Sequence, residues 1–237
     1  MPKINESGNG TLLTNVHNAN PVSRRRFLGY AGAAAALAMA VASCDKDDDN
    51  PMPPTGGIDL GSGDIGILNY AFALEQLEAA FYTQLILTPY ASIPPLELAL
   101  LTDVRDHEIA HREFFRNAIP AANRIQDLEV DFGAIDFTSR DKVLGVAKTF
   151  EDLGVSAYNG AGKLITTAAY LTIAGKIVSV EARHAAYIRD LISNGSFSGS
   201  DVVDSNGLDK AAMPADVLMA ANGFLKTKVS GANLPTS

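Results

Sequence analysis

The chain is expected to fold as an all-α four-helix bundle with one long crossover between its second and third helices and a short helical extension at the C-terminus. Three features lead there: four long segments with helical periodicity, an 18-residue stretch without it in the middle, and one pattern of acidic, aromatic and histidine positions that occurs twice. A composition rich in Ala and Leu and lacking Trp suits a helical core, and 237 residues allow one sizeable domain plus appendages.

The first helix follows Asp64, the expected cap, and runs through "IGILNYAFALEQLEAAFYTQLIL". Ile67, Ala71, Leu74, Glu75, Glu78, Phe81, Tyr82 and Leu85 fall on or beside one stripe of it. Pro94-Pro95 mark a loop, and "LELALLTDVRDHEIAHREFFRNAI" forms a second helix that stops at Pro120. The stretch "PAANRIQDLEVDFGAIDF" is longer than the roughly 2–8 residues that usually join neighbouring bundle helices, so it reads as the crossover. Ser139 then caps "RDKVLGVAKTFEDLGVSAYNGAGKLI", and "TTAAYLTIAGKIVSVEARHAAYIRDLIS" follows as the fourth helix, ended by Asn194-Gly195. The bundle therefore spans residues 64–194. In the remaining residues, 195–237, "PADVLMAANGFL" is a short helical stretch expected to pack over it.

Within this frame the chemistry-bearing residues repeat. Glu75 is followed seven residues later by Tyr82, and Glu151, 76 residues on, is followed seven later by Tyr158. Glu108 and His111 form an E-x-x-H pair, which recurs 73 residues later as Glu181 and His184. Residues three apart on a helix share a face, so each pair presents a carboxylate and an imidazole side by side. Four carboxylates converging from four helices would neutralise two divalent cations, and two neutral imidazoles would complete the shell with positions left open. Carboxylates can also bridge two metals or change denticity. On the first helix Glu78 shares the stripe with Glu75 and is open as either the ligand or an outer-shell group; the spacing to tyrosine, repeated in the third helix, favours Glu75 as ligand. His107 points about 100° from Glu108 and reads as a surface or outer-shell residue, and Arg112 and Arg183 as solvated heads.

The segments "LEQLEAAFY", "RDHEIAHREFF", "TFEDLGVSAY" and "VSVEARHAAY" resemble the ferritin-like superfamily, most of all the ferritin-like domain branch that includes desiccation-related proteins. That resemblance implies a carboxylate-bridged site for two iron ions, with manganese an alternative. It implies Glu75 and Glu151 as terminal carboxylates, Glu108 and Glu181 as bridging ones, and His111 and His184 as imidazole ligands. Tyr82 and Tyr158 resemble the aromatic residues that lie near such sites and accept hydrogen bonds. The implied partners are metal ions and oxygen or peroxide. Three functions stay open: a ferrous-oxidising protein, a structural or desiccation-protective surface protein with metal for stability only, and an oxidase acting on an organic substrate.

The N-terminus reads as an address. Arg24-Arg25, followed by Phe27-Leu28 and an alanine-rich run too short for a transmembrane helix, resembles a twin-arginine export signal. Val41-Ala42-Ser43-Cys44 resembles a lipobox, which would lipidate Cys44 and anchor the exported protein to a membrane, facing the periplasm or the cell surface. Residues 45–63, acidic and then Pro- and Gly-rich, are expected to be a flexible tether. With a formal charge of −8 and dispersed Lys and Arg, the chain has no basic stripe, and nucleic acid is excluded as a partner. A lipid anchor, a tether and a C-terminal extension fit poorly with a closed storage shell, though a smaller homo-oligomer is compatible.

Overall fold

The computed structural model describes residues 56–237. The twin-arginine segment, Cys44 and residues 45–55 of the tether lie outside the described residues.

Four long helices form the bundle: α1 (Gly63–Leu87), α2 (Pro95–Ala118), α3 (Arg140–Gly162) and α4 (Ala168–Ile192). They pack as two hairpins, α1 on α2 and α3 on α4, with α1 against α3 joining the halves. Pro95 opens α2 at its first turn, where a missing N–H costs nothing. Ser139 caps α3, its Oγ accepting from the Lys142 N–H. Asp64 differs from expectation. It lies inside the first turn of α1, and its carboxylate accepts from the N–H groups of Thr166 and Thr167, so it fixes the entry to α4 instead.

The single apolar stripe expected on α1 is also exceeded. Asn69, Phe72, Ala73, Gln76, Leu77 and Ala79 are buried as well, so the helix is enclosed almost all round. Its outer side is covered by the crossover and the C-terminal extension. Asn69 accepts from the N–H of Ile125 and donates to the carbonyls of Leu60 and Asn123, while Gln76 accepts from the N–H of Leu128. These side chains supply the partners that an irregular, half-buried backbone needs.

The extension carries α5 (Pro214–Ala221), whose Val217, Leu218 and Ala221 are buried against α1 and α3. Beyond it, Phe224 meets Phe150 edge-on at 4.8 Å, and Val130 of the crossover bridges Leu225. Among the described residues a two-stranded parallel ribbon accompanies the helices: β1 (Ile58–Asp59) pairs with β2 (Val229–Ser230). Residues 58–60, expected to belong to the tether, instead pack onto the folded body. Ile58 pairs in the ribbon and Leu60 is fully buried, because these two apolar residues find a surface on the bundle.

Gly160 marks where the extension crosses α3. A Cβ there would overlap the Ala212 carbonyl oxygen, in a segment whose Ala212 N–H donates to Ser156 O at 2.9 Å. Gly160→Ala is therefore expected to destabilise the protein by roughly 1–3 kcal/mol through overpacking. A thermal melt would register this as a fall of several degrees in Tm.

Candidate metal centre

Midway along the bundle the helices turn five glutamates and two histidines toward one another. Glu75 and Glu78 come from α1, Glu108 and His111 from α2, Glu151 from α3, and Glu181 and His184 from α4. All five carboxylates are buried, and His111 keeps only 14% of its side-chain exposure.

Six of these residues form two overlapping groups. Glu75, Glu108, His111 and Glu181 bring ligand atoms within 4.8 Å of one another, and Glu108, Glu151, Glu181 and His184 do the same. Glu108 and Glu181 belong to both. Each imidazole lies closest to the shared carboxylate of the opposite hairpin: His111 Nδ1 is 2.8 Å from Glu181 Oε1, and His184 Nδ1 is 2.7 Å from Glu108 Oε1. The unshared carboxylates stand further off, Glu75 at 3.4 Å from His111 and Glu151 at 3.5 Å from His184.

Despite these short separations, both Nδ1 atoms and six of the carboxylate oxygens make no hydrogen bond. Buried polar atoms are rarely left unpaired, since each costs about 1–3 kcal/mol. Here they crowd together instead, the ligand atoms of each group lying within 4.8 Å of one another. Two overlapping groups of unpaired oxygen and nitrogen donors fit divalent metal.

The tyrosines act differently from the expectation. They donate, and they do so across the hairpins: Tyr82 OH donates to Glu151 Oε1 at 2.5 Å, and Tyr158 OH donates to Glu75 Oε1. A carboxylate offers only acceptors, so the phenol must supply the proton. Each tyrosine thereby occupies one oxygen of an unshared glutamate and leaves the other facing the cluster.

Glu78 belongs to neither group. Its Oε1 lies against Gly154, where a Cβ would come within 3.0 Å of it. Gly154 is the 76-residue counterpart of Glu78, so the duplicated position carries a carboxylate in one half and the space for it in the other. Burial, and after it the charges of Glu108, Glu181, Glu75 and Glu151, drive the Glu78 carboxyl well above its ordinary range.

His107 is closer to the site than its helical position suggests. Its Nδ1 is 2.9 Å from His184 Nε2, and the two rings stack at 14°. It thus holds the far nitrogen of His184 and orients Nδ1 toward the carboxylates. The 73-residue counterpart of His107 is Val180, so His111 has no equivalent support. The only advance signal was the adjacency of His107 to Glu108. Removing it, in His107→Ala, is expected to weaken metal binding at the His184 side by about 10–100-fold while leaving stoichiometry at saturation unchanged. A metal titration with two resolved affinities would test this.

Without metal the cluster is electrostatically crowded. Burial raises the carboxyls of Glu75, Glu108 and Glu151, and Glu181 adds to the rise in all three. Burial also opposes charge on His111, yet Glu108, Glu181 and Glu75 outweigh it and push the imidazole up to about 12. His184 is raised in the same way by Glu108, Glu151 and Glu181. For Glu181 burial is outweighed by the two imidazoles, which hold its carboxyl below the usual range.

A sequence model of the family described as the ferritin-like domain matches residues 63–194. No curated protein matches the chain. The match takes in both hairpins, the crossover and every residue of the cluster, which is more than half of the chain. By that match, and by a duplicated helical hairpin that converges its glutamates and histidines on one buried point, the chain belongs to the ferritin-like domain family.

Proposed function

We propose that this protein holds two iron ions, with manganese an alternative, and reacts Fe(II) with oxygen or peroxide from an exported, lipid-anchored position. The observation that carries the reading is the sharing of Glu108 and Glu181 by two ligand groups, each completed by one further carboxylate and one imidazole. Four carboxylates balance four positive charges in a core that could not otherwise hold either sign.

Iron would supply the redox change between its ferrous and ferric states. The protein's residues position and insulate it. Tyr82 and Tyr158 each hold one oxygen of Glu151 and Glu75, which limits the rotation of those carboxylates. His107 fixes the His184 ring. Phe81, Leu101, Phe150 and Ile188, one from each of the four helices that carry the glutamates and histidines, are buried and contribute to an apolar core that disfavours bulk water. Export and anchoring rest on Arg24-Arg25 and on Cys44 behind its small-residue run. Among the described residues no helix is long and apolar enough to cross a membrane.

The test uses the purified full-length chain stripped of metal, given Fe(II) without air and then exposed to oxygen, with bound iron and oxygen consumption followed together. Two irons per chain with oxygen uptake is the expected result. Iron bound with no consumption of oxygen or peroxide would instead favour the second reading, a desiccation-protective surface protein in which metal serves stability.

A further inference from the structure

An apolar cavity of about 40 Å³ lies between α1, α2, α3 and the N-terminal half of α4. Tyr158, whose hydroxyl donates to Glu75, links the lining to the metal centre, and the exposed Phe114 is also part of the lining. The lining is almost wholly carbon. Tyr70 contributes a buried hydroxyl that has no partner, but one hydroxyl is fewer than the two to four polar contacts a buried water needs. The cavity therefore offers little to hold a water molecule.

The internal repeat shows that this space belongs to one half only. Ala157 and Ala161 line it, and their 76-residue counterparts are Phe81 and Leu85. In that other half Phe81 fills the volume, 5.2 Å from Phe150 and 5.9 Å from Phe132 of the crossover. The open half is the one whose ligand group contains Glu75 and His111. It is also the half whose histidine lacks an imidazole behind it.

Size and polarity select the occupant. A cavity of about 150 Å³ takes benzene and one of about 10–15 Å³ takes a single water, so this one suits an uncharged molecule of two or three heavy atoms. Hydrogen peroxide would have to give up its hydrogen bonds to enter, whereas dioxygen has none to lose. We propose that this cavity binds dioxygen and delivers it past Tyr158 to the Glu75 and His111 side of the cluster. The proposal rests on the ferrous-oxidising reading and chooses between its two oxidants.

The full-length chain and two variants that import the residues of the filled half, Ala157→Phe and the milder Ala161→Leu, provide the test. Xenon is the first probe, applied to the metal-free proteins and read by its magnetic resonance shift. A saturable xenon site in the wild type, lost in Ala157→Phe and weakened in Ala161→Leu, is expected. In the second measurement, Fe(II)-loaded proteins of equal iron content are mixed with limiting oxygen or with peroxide. The variants should need about tenfold more oxygen for the same rate, as for a tenfold loss of affinity, with peroxide-driven oxidation unchanged. Ala161→Leu keeps the comparison available if Ala157→Phe does not fold. Absence of xenon binding in the wild type would overturn the cavity as a gas site. Xenon binding with an unaltered oxygen dependence, or equal slowing with both oxidants, would overturn its role in delivery. A wild-type protein that binds xenon but is inert to oxygen would overturn the ferrous-oxidising reading, and the delivery role with it.

Discussion

Glu181→Gln is expected to abolish stoichiometric metal binding at both positions, whereas His184→Ala should abolish it at one. The difference follows from sharing. Glu181 contributes to the group containing His111 and to the group containing His184, so its loss removes a donor and a negative charge from each. His184 contributes to one group alone, and Glu75, Glu108, His111 and Glu181 remain together without it. Outer-shell changes already cost about 10–100-fold in metal affinity, so loss of a direct ligand should exceed about 100-fold at each affected position. Elemental analysis after dialysis against a fixed low concentration of Fe(II) would read close to zero, one and two irons per chain for Glu181→Gln, His184→Ala and wild type. Glu78→Gln is the control, since Glu78 lies in neither group, and it should retain both metals. A variant at Glu78 that lost one iron would transfer the α1 ligand role away from Glu75.

The contrast between these residues also shows what a single chain of letters can disclose. The two E-x-x-H pairs and the Glu…Tyr spacing are local, fixed by helical geometry, and repeated, so both the four helices and the six converging side chains could be read before any coordinates. What could not be read depends on contacts between distant segments. Tyr82 and Tyr158 donate across the bundle to Glu151 and Glu75, partners set by how the hairpins pack and not by the seven-residue spacing. His107 faces away from Glu108 on its own helix and meets His184 only because α4 runs beside it. Asn69 and Gln76 lie off the stripe that marks the first helix, yet they are the groups that dock the crossover. The β1 and β2 ribbon joins residues near opposite ends of the described chain, each too short to register as a strand. The apolar cavity was equally hidden: Ala157 and Ala161 suit any helix, and their consequence emerges only against Phe81 and Leu85 in the other half.

Metal-free protein is expected to lose stability as pH rises from about 5 to 9, the reverse of ordinary acid lability. Glu75, Glu78, Glu108 and Glu151 have carboxyls raised in the folded state, foremost by burial. A raised carboxyl contributes stability below its unfolded value near 4.5 and loses it as pH climbs through the folded value. The imidazoles act with the same sign. His111, lifted to about 12 by carboxylates that outweigh its burial, and His184 contribute fully below about 6.5, and that contribution is lost as pH rises toward their folded values. Across this window the folded chain thus holds more protons than the unfolded one, so the slope of stability against pH is negative. Groups with depressed values act elsewhere. Glu181, Glu97 beside Arg140, and Asp201, held at about 2 by Arg189, lose their contributions only in acid. Metal should invert the trend, because ligands bind deprotonated and the displaced protons make affinity rise with pH. Thermal melts with chelator and with saturating divalent metal, at about pH 5.5, 7 and 8.5, would therefore diverge progressively. A metal-free Tm that rose over that range would mean the buried carboxylates and imidazoles compensate one another without net proton uptake, and the cluster would then be a neutral polar core able to stand without metal.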